Sequence, residues 1–396
     1  MPNFKILSYV SSSFIQNASL LPLSSSTPSQ PRIIQLFTDG GSSATVCLME
    51  INGTHFVRKQ DSDKEGVNKL KTERAFLKYV QTDPDFKDIG SLYPKLLSHY
   101  ENEKTYYYDM EYIHGPNLGR ALFENQISAP QFYELLDALF SVLIPKGYLQ
   151  KGRALPESES ERYLESIYFN RVFSRIEALK KRNCFIELET STVSLTELLN
   201  SPIVMINEEQ YTNPLDLLSS LKKHAFIKKR IFPRYMGFCA HGDLTPTNML
   251  WDSRNKRIVL VDNRGIYEWD PFYDFGKIKF ALSGFYYVVI EKVTVKNPEK
   301  RAFKLSFQVN PTIQDIFEEL NKTYLSFLEK LSHFAPLIEH EPYWKDRVLF
   351  VEASQYIADM PYRLQCGKSP VCVIADFLLG TLTLNQLWKQ WQIHRQ

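Results

Sequence analysis

Three aspartates and one asparagine stand in the stretch HGDLTPTNMLWD and in the apolar run that follows it. Asp243 and Asn248 lie five residues apart, and Asp262 ends the run IVLVD fourteen residues after Asn248. Carboxylate and carboxamide oxygens are hard ligands that suit Mg²⁺, which binds few protein oxygens together with water and phosphate. If Asn248 and Asp262 hold the metal, Asp243 remains free to face a substrate hydroxyl.

A β-hairpin is the element that would bring these three side chains together. The segments NMLW and IVLVD have the texture of strands, and the polar run DSRNKR between them predicts the turn. The two ends of a hairpin meet, so Asn248 and Asp262 are expected at one mouth with Asp243 on the loop before it. A single Asp or Asn in a loop most often forms a turn or a cap. The combined pattern is much less expected by chance, so it favours a functional site.

The chain divides by texture into a β-rich first part and a mainly helical remainder. Residues 1–30, rich in Ser and Pro, predict an extension. Residues 31–112 predict a small antiparallel sheet with one helix over KEGVNKLKTERAFLKYVQ, and the pair Asn52-Gly53 predicts a tight hairpin. Residues 113–396 predict long helices, with strand texture returning only around 248–262. The expected fold class is therefore α+β, with a small antiparallel β-rich lobe followed by a larger mainly helical lobe.

The segments HGDLTPTN and VDNRG resemble the catalytic segment of the aminoglycoside phosphotransferase and choline kinase-like enzymes, relatives of the protein kinases by fold. The resemblance covers roughly residues 35–285. It implies a protein kinase-like two-lobed fold and transfer of a phosphoryl group from ATP with Mg²⁺. On this resemblance Asp243 is the catalytic aspartate, Asn248 and Asp262 are the metal ligands, and His241 supports the loop by hydrogen bonds.

The resemblance also predicts where the first lobe binds the nucleotide. A turn of small residues should cover the phosphates, and a basic residue on the next strand should reach them; the motif slightly favours Arg58 over Lys59, but only one can face the cleft and the choice stays open. A glutamate on the following helix should pair with that cation, and Glu73 fits better than Glu65. The last strand should lead into a hinge that binds adenine through backbone groups. The remaining residues predicted to bind the nucleotide are Gly40, Gly41, Ser42 and Ser43 in the turn and Met110, Glu111, Tyr112 and Ile113 in the hinge.

The sequence departs from the better-known relatives at two places, and it also contains a residue expected to support the catalytic loop. Thr245 stands where many relatives carry a histidine and many protein kinases a lysine or arginine, so a cation is missing there; Arg264 is one candidate replacement. Asp274, in EWDPFYDFGKI, is expected to anchor the catalytic loop. The chain has no Ala-Pro-Glu motif and no long activation segment, which favours a small-molecule acceptor over a protein.

The acceptor itself is only loosely indicated. The second lobe, chiefly residues 155–240 and the C-terminal helices, should bind it. The Tyr- and Arg-rich run ERYLESIYFNRVFSR suits a sugar or an anionic metabolite, but it equally suits a helix with a buried Tyr face and a solvated Arg face. The alternatives to a small-molecule kinase are a catalytically inactive nucleotide-binding scaffold and a protein kinase. ATP versus GTP and the oligomeric state stay undecided.

The composition of the chain limits which classes of protein and which partners are expected. The chain of 396 residues is 44% hydrophobic, which is enough for a substantial core, and its formal net charge of +2 gives no argument for nucleic acid as a partner. No run approaches the length of a membrane-spanning apolar segment. The five cysteines are an odd, dispersed set, which predicts free thiols and a cytoplasmic protein.

Overall fold

The computed structural model describes residues 30–37, 44–103, 105–189, 191–299, 302–365 and 369–393. The predicted phosphate-covering turn, Gly40 to Ser43, lies outside the described residues.

The first part of the chain forms a five-stranded antiparallel sheet covered by one long helix. Strand order is β1-β2-β3-β5-β4, and the Asn52-Gly53 turn, with positive φ at both residues, joins β2 to β3. Leu70, Phe76 and Val80 of the helix are buried, as its periodicity predicts. The elements are β1 (Arg32–Phe37), β2 (Thr45–Ile51), β3 (Thr54–Asp61), α1 (Lys64–Thr82), α2 (Lys87–Gly90), β4 (Leu96–Glu101) and β5 (Tyr106–Glu111).

The remainder is mostly helical, so the predicted two-lobed α+β architecture is confirmed. Its core is built around α10, which is buried along its whole length and packs against α14, which in turn packs against α15. The helices are α3 (Leu118–Phe123), α4 (Ala129–Val142), α5 (Glu157–Tyr163), α6 (Arg171–Lys180), α7 (Leu195–Leu199), α8 (Pro214–Lys223), α9 (Ala225–Ile231), α10 (Pro271–Phe280), α11 (Tyr286–Val289), α12 (Pro311–Lys330), α13 (Ala335–Glu339), α14 (Trp344–Gln365) and α15 (Val371–Ile393).

The second lobe contains more strand than the sequence pattern predicts. The expectation that strands return only around 248–262 is wrong, because a four-stranded sheet of order β10-β9-β16-β15 lies outside that region. Its strands are short, and charged residues such as those of TVKNPEKRAFKLSF hide the period-two pattern. The strands are β6 (Arg153–Ala154), β7 (Phe185–Glu187), β8 (Thr192–Ser194), β9 (Ile203–Ile206), β10 (Glu209–Thr212), β11 (Tyr235–Phe238), β12 (Met249–Asp252), β13 (Arg257–Leu260), β14 (Glu268–Trp269), β15 (Val293–Glu299) and β16 (Ala302–Phe307).

The helix α15 is the one described helix that is long and apolar enough to cross a membrane by length and composition. Within its segment Val371–Gln392, 72% of the most apolar window is buried inside the protein. Its contacts with α14 and α8 account for that burial. The apolar character of this helix is therefore used in the core of the second lobe.

The segment after β5 is docked on the hairpin of β12 and β13. The Trp251 N–H donates to the Pro116 carbonyl over 2.9 Å, and Asn117 pairs with Leu250 as an isolated bridge. A Cβ at Gly115 would lie 2.0 Å from the Trp251 carbonyl oxygen, so only glycine permits this approach. The connection between the two lobes is thereby tied to the hairpin that carries Asn248.

Candidate active site

The loop that carries Asp243 is held from below by two buried side chains. His241 accepts a hydrogen bond at Nδ1 from the Asp243 N–H (3.2 Å) and lies 2.8 Å from the Val261 carbonyl through Nε2. The Asp274 carboxylate accepts from the backbone N–H groups of His241 (2.9 Å) and Leu244 (3.4 Å). Because these bonds use backbone atoms of the loop, they set its path and leave the Asp243 side chain free of that task.

Burial decides the charge state of both supports. His241 is fully buried, and burial lowers the pKa of its imidazole to about 4. The ring is therefore neutral at physiological pH, as its two opposite hydrogen-bonding roles require. Burial raises the pKa of Asp274 to about 7, although its hydrogen bonds with the loop and with Tyr148 act in the opposite direction.

Replacing His241 with asparagine should flatten the acid dependence of stability. The folded-state pKa of about 4 lies below the ordinary value of 6.5, so the unfolded chain binds the extra proton between these pH values. Stability from this group is present above pH 6.5 and is lost as pH falls towards 4, by about 3 kcal/mol in total. Urea unfolding at several pH values across this window measures it. Equal slopes for the two proteins would contradict the assignment.

The predicted hairpin is confirmed, and it brings Asn248 and Asp262 to one mouth. β12 and β13 pair antiparallel with Met249 opposite Leu260, and the Val261 N–H donates to the Asn248 carbonyl over 3.0 Å. The Asn248 amide nitrogen donates to the Asp243 carbonyl (2.9 Å), which leaves the Oδ1 oxygen as its ligand atom. Asp262 itself adopts a left-handed backbone conformation, with φ of 64°.

Lys59 points towards Glu73 and Asp262, and Arg58 points to the opposite face of β3. The Lys59 ammonium lies 2.7 Å from Glu73 Oε2 and forms an ion pair with Asp262. On the opposite face of β3, the Arg58 guanidinium pairs with Asp109 (2.8 Å) and stacks 3.7 Å from the Tyr107 ring centroid. The slight preference of the sequence for Arg58 therefore does not match the geometry, because successive residues of a strand point to opposite faces.

Glu73 lies at the buried end of this ion-pair chain. It is 1% exposed and also accepts from the Tyr108 hydroxyl (3.0 Å). Glu65, the other candidate, is exposed in the first turn of α1. Burial would lower the pKa of Lys59, but its interactions with Asp262, Tyr108 and Glu73 raise it well above its ordinary value, so this buried lysine is cationic.

Close packing behind Asp262 places Glu73 and Asp262 on the same cation. Gly265 has φ of 68°, and a Cβ there would lie 2.5–2.8 Å from backbone atoms of Thr72 and Glu73. Only glycine lets the loop after β13 lie directly on α1. The helix of the first lobe and the loop after β13 therefore meet at Lys59.

The predicted hinge residues end β5 and enter the connection between the lobes. Met110 and Glu111 pair with Val57 and Phe56 of β3, and Met110 is buried. Tyr112 and Ile113 follow directly, with Ile113 buried and the Tyr112 ring 4.5 Å from that of His114. The segment is thus in the place expected for a hinge, and its role in binding adenine stays a prediction.

Lys277, which the sequence reasoning missed, contacts Asp243. The lysine is on α10, is 4% exposed, and its ammonium lies 2.9 Å from Asp243 Oδ1 and 3.7 Å from Asp359 Oδ2. A signal was present: Lys277 follows Asp274 by three residues, so both project from one face of the helix towards the loop. A cation therefore lies against Asp243, but it comes from α10 and not from position 245.

The charges around Asp243 keep it ionised. Removal from water would raise the pKa of this carboxyl, but Lys277 and Arg264 lower it well below its usual range. The side chain is 36% exposed, so it remains open on one side. Arg264, the candidate from sequence, instead lies over the rings of Trp269 and Tyr273. An ionised, fixed and accessible carboxylate can orient a hydroxyl and accept its proton.

The oxygen donors at the hairpin mouth suit Mg²⁺ held jointly with a phosphate. Across the described ranges there is no group of three or more His, Cys, Asp and Glu side chains that would form a metal site made by protein alone. Mg²⁺ commonly uses only one or two carboxylates plus substrate phosphates and water. Asp262, with its side chain 34% exposed, and Asn248 Oδ1 match that donor set.

Comparisons with known proteins find similar structures but no similar sequence families. No protein-family model matches this chain, and no curated protein matches it in sequence. Similar solved structures include an aminoglycoside-3'-phosphotransferase of type VIII (15% identity, TM-score 0.37, covering 81% of this chain and 94% of that one). A second is an aminoglycoside phosphotransferase from Streptomyces rimosus in complex with ADP and streptomycin (16% identity, TM-score 0.38, covering 74% of this chain and 90% of that one). A third is a microcompartment-associated aminopropanol kinase (14% identity, TM-score 0.44, covering 90% of this chain and 90% of that one). At these identities and TM-scores the likeness carries no argument about activity, which must come from the site itself.

Proposed function

We propose that this protein is an ATP- and Mg²⁺-dependent phosphotransferase that moves the γ-phosphoryl group to a hydroxyl of a small molecule. The observation that carries the proposal is that two charge systems lie close enough for the charge of Asp243 to act on Asp262. An ionised Asp243 on a braced loop lies beside a hairpin mouth where Lys59, Glu73 and Asp262 form a continuous ion-pair chain.

The proposed roles follow from charge and position. Asp243 orients the acceptor hydroxyl and takes its proton late in the transfer, because little covalent help is needed in a loose transition state. Lys59 binds phosphate oxygens, and Glu73 holds Lys59 in place. Asn248 and Asp262 hold Mg²⁺, which when bound offsets phosphate charge. The backbone of Met110 to Ile113 binds the adenine.

Lys277 acts on Asp243 in this scheme. Its ammonium keeps the carboxylate ionised and fixes the position of one of its oxygens. A carboxylate in this state accepts a hydrogen bond from a hydroxyl through its second oxygen. The acceptor is thus aimed by a pair of residues from two elements, the loop and α10.

The nucleotide half of the proposal has a matched test on neighbouring residues of β3. Lys59→Met should weaken binding of Mg·ATP by about 10–100-fold, because a charge-assisted contact with phosphate is lost. Arg58→Met, on the opposite face, should leave it within about twofold. Calorimetric titration with a non-hydrolysable ATP analogue measures both. Equal losses in the two variants would contradict the placement of the phosphates.

The transfer itself is tested by ADP release across hydroxylated metabolites, sugars among them, with and without Mg²⁺. Turnover that requires both the metal and one acceptor supports the proposal. Binding of ATP without turnover on any acceptor would favour an inactive scaffold. Labelling of proteins in an extract would favour a protein kinase, and no ATP binding at all would rule out each of these functions.

A further inference from the structure

Two arginine side chains meet at a single phenol hydroxyl beside Asp243. Arg171 of α6 donates through Nη1 to the Tyr273 hydroxyl, and Arg264 approaches the same oxygen through Nη2 at 3.4 Å. Each guanidinium also lies 5.4 Å from the Tyr273 ring centroid. A phenol oxygen can accept both bonds, but it carries no charge to offset two cations.

The neighbouring cations are paired, and these two are not. Lys277 has Asp243 at 2.9 Å, Arg175 has Asp359 at 3.7 Å, and Arg363 has Asp376 at 2.7 Å. Within the part of the chain that the structure describes, neither of the two arginines at Tyr273 has a carboxylate at ion-pair distance. Two like charges held around one neutral atom repel each other, the more so where water is scarce.

The pKa of the Tyr273 hydroxyl is consistent with the positive charge around it. Tyr273 is buried, and burial alone would raise the pKa of its hydroxyl. The charges of Arg171, Arg264 and Lys277 lower it below its ordinary value, although the charge of Asp243 acts in the opposite direction. The region next to Asp243 therefore favours a negative charge.

We infer that Arg171 and Arg264 bind an anionic group of the acceptor, so that the acceptor is a hydroxylated metabolite bearing a phosphate or a carboxylate. This inference rests on the proposed phosphotransfer and specifies its substrate class. Guanidinium groups bind such oxyanions through paired, charge-assisted hydrogen bonds. An anion at this place would offset both charges and would put the rest of the acceptor beside Asp243. A polycationic acceptor would meet like charge.

The deciding probe is inorganic phosphate, added at constant ionic strength to protein that is saturated with Mg²⁺ and a non-hydrolysable ATP analogue. Phosphate should bind the wild type, and Arg171→Gln and Arg264→Gln should each weaken it by about tenfold or more, the loss expected for one charged hydrogen bond. Arg162→Gln, an exposed arginine on α5, is the matched control and should bind phosphate like the wild type. Circular dichroism establishes that each variant is folded, and the two arginine variants serve as independent tests.

The outcomes distinguish two groups that the arginines could bind, the anionic group of the acceptor and the γ-phosphate of ATP. If the arginines serve the γ-phosphate, their loss would weaken the ATP analogue relative to ADP and leave phosphate binding unchanged, which would overturn the inference. Absence of phosphate binding to the wild type, or equal binding by all variants, would also overturn it. Comparison of acceptor pairs, such as glycerol with glycerol 3-phosphate, should then show the charged member favoured. Failure of ATP binding would refute the proposed function itself. Normal ATP binding without a preference for charged acceptors would refute only the inference about the acceptor.

Discussion

Asp243→Asn is expected to lower the turnover number of phosphoryl transfer by about 10²–10⁴-fold while leaving Mg·ATP affinity within about twofold. Asparagine keeps the size and one oxygen of the side chain, so the loop and its bonds with His241 and Asp274 should persist. What disappears is the negative charge that orients the acceptor hydroxyl and receives its proton. Single-turnover kinetics with saturating ATP measures the loss in the chemical step.

A control aspartate shows that the loss is local. Asp216 is exposed in the first turn of α8 and has no role in the proposed site. Asp216→Asn should therefore retain wild-type turnover. If Asp243→Asn kept more than about a tenth of the wild-type rate, a role as general base would be excluded, because such bases contribute at least about 10²-fold.

Lys277→Gln is expected to lower turnover by about 10²-fold or more and to introduce an acid limb into the pH–rate profile. Burial disfavours the charge of Lys277, yet the charges of Asp243 and Asp359 raise its pKa, so it is cationic in the wild type. Without it, Asp243 loses the first charge that lowers its pKa, and that pKa rises. The rate as a function of pH measures both effects.

Lys279 provides the matched control on the same helix. Its ammonium is also buried, but it donates to the Asn321 carbonyl (2.7 Å) and lies away from Asp243. Lys279→Gln should therefore affect stability without moving the pH–rate profile. Partial recovery by Lys277→Arg would support the charge as the active property. A Lys277→Gln enzyme with an unaltered profile would show that the residue is purely structural.

Local patterns in the sequence were sufficient for the division into two lobes and for the hairpin that follows Asp243. The hairpin of NMLW and IVLVD has the predicted pairing, because alternation and turn residues are properties of neighbouring positions. The first lobe followed by a helical lobe was likewise predictable from texture. The sheet of β9, β10, β15 and β16 was not, because β9 and β10 are only four residues long and charged residues interrupt the apolar pattern of β15 and β16.

The partners of the charged residues required the tertiary structure. Alternation along β3 predicts that Arg58 and Lys59 point to opposite faces of the strand. Only the tertiary structure shows that Lys59 points towards α1 and towards Asp262, which follows Lys59 by 203 residues. Arg171 and Tyr273 are 102 residues apart, and nothing local links them. The sequence thus determined which chemical groups are present and on which element each one lies. Packing between distant elements decided which charges are compensated and which are not, because electrostatic pairing depends on distance in space and not along the chain.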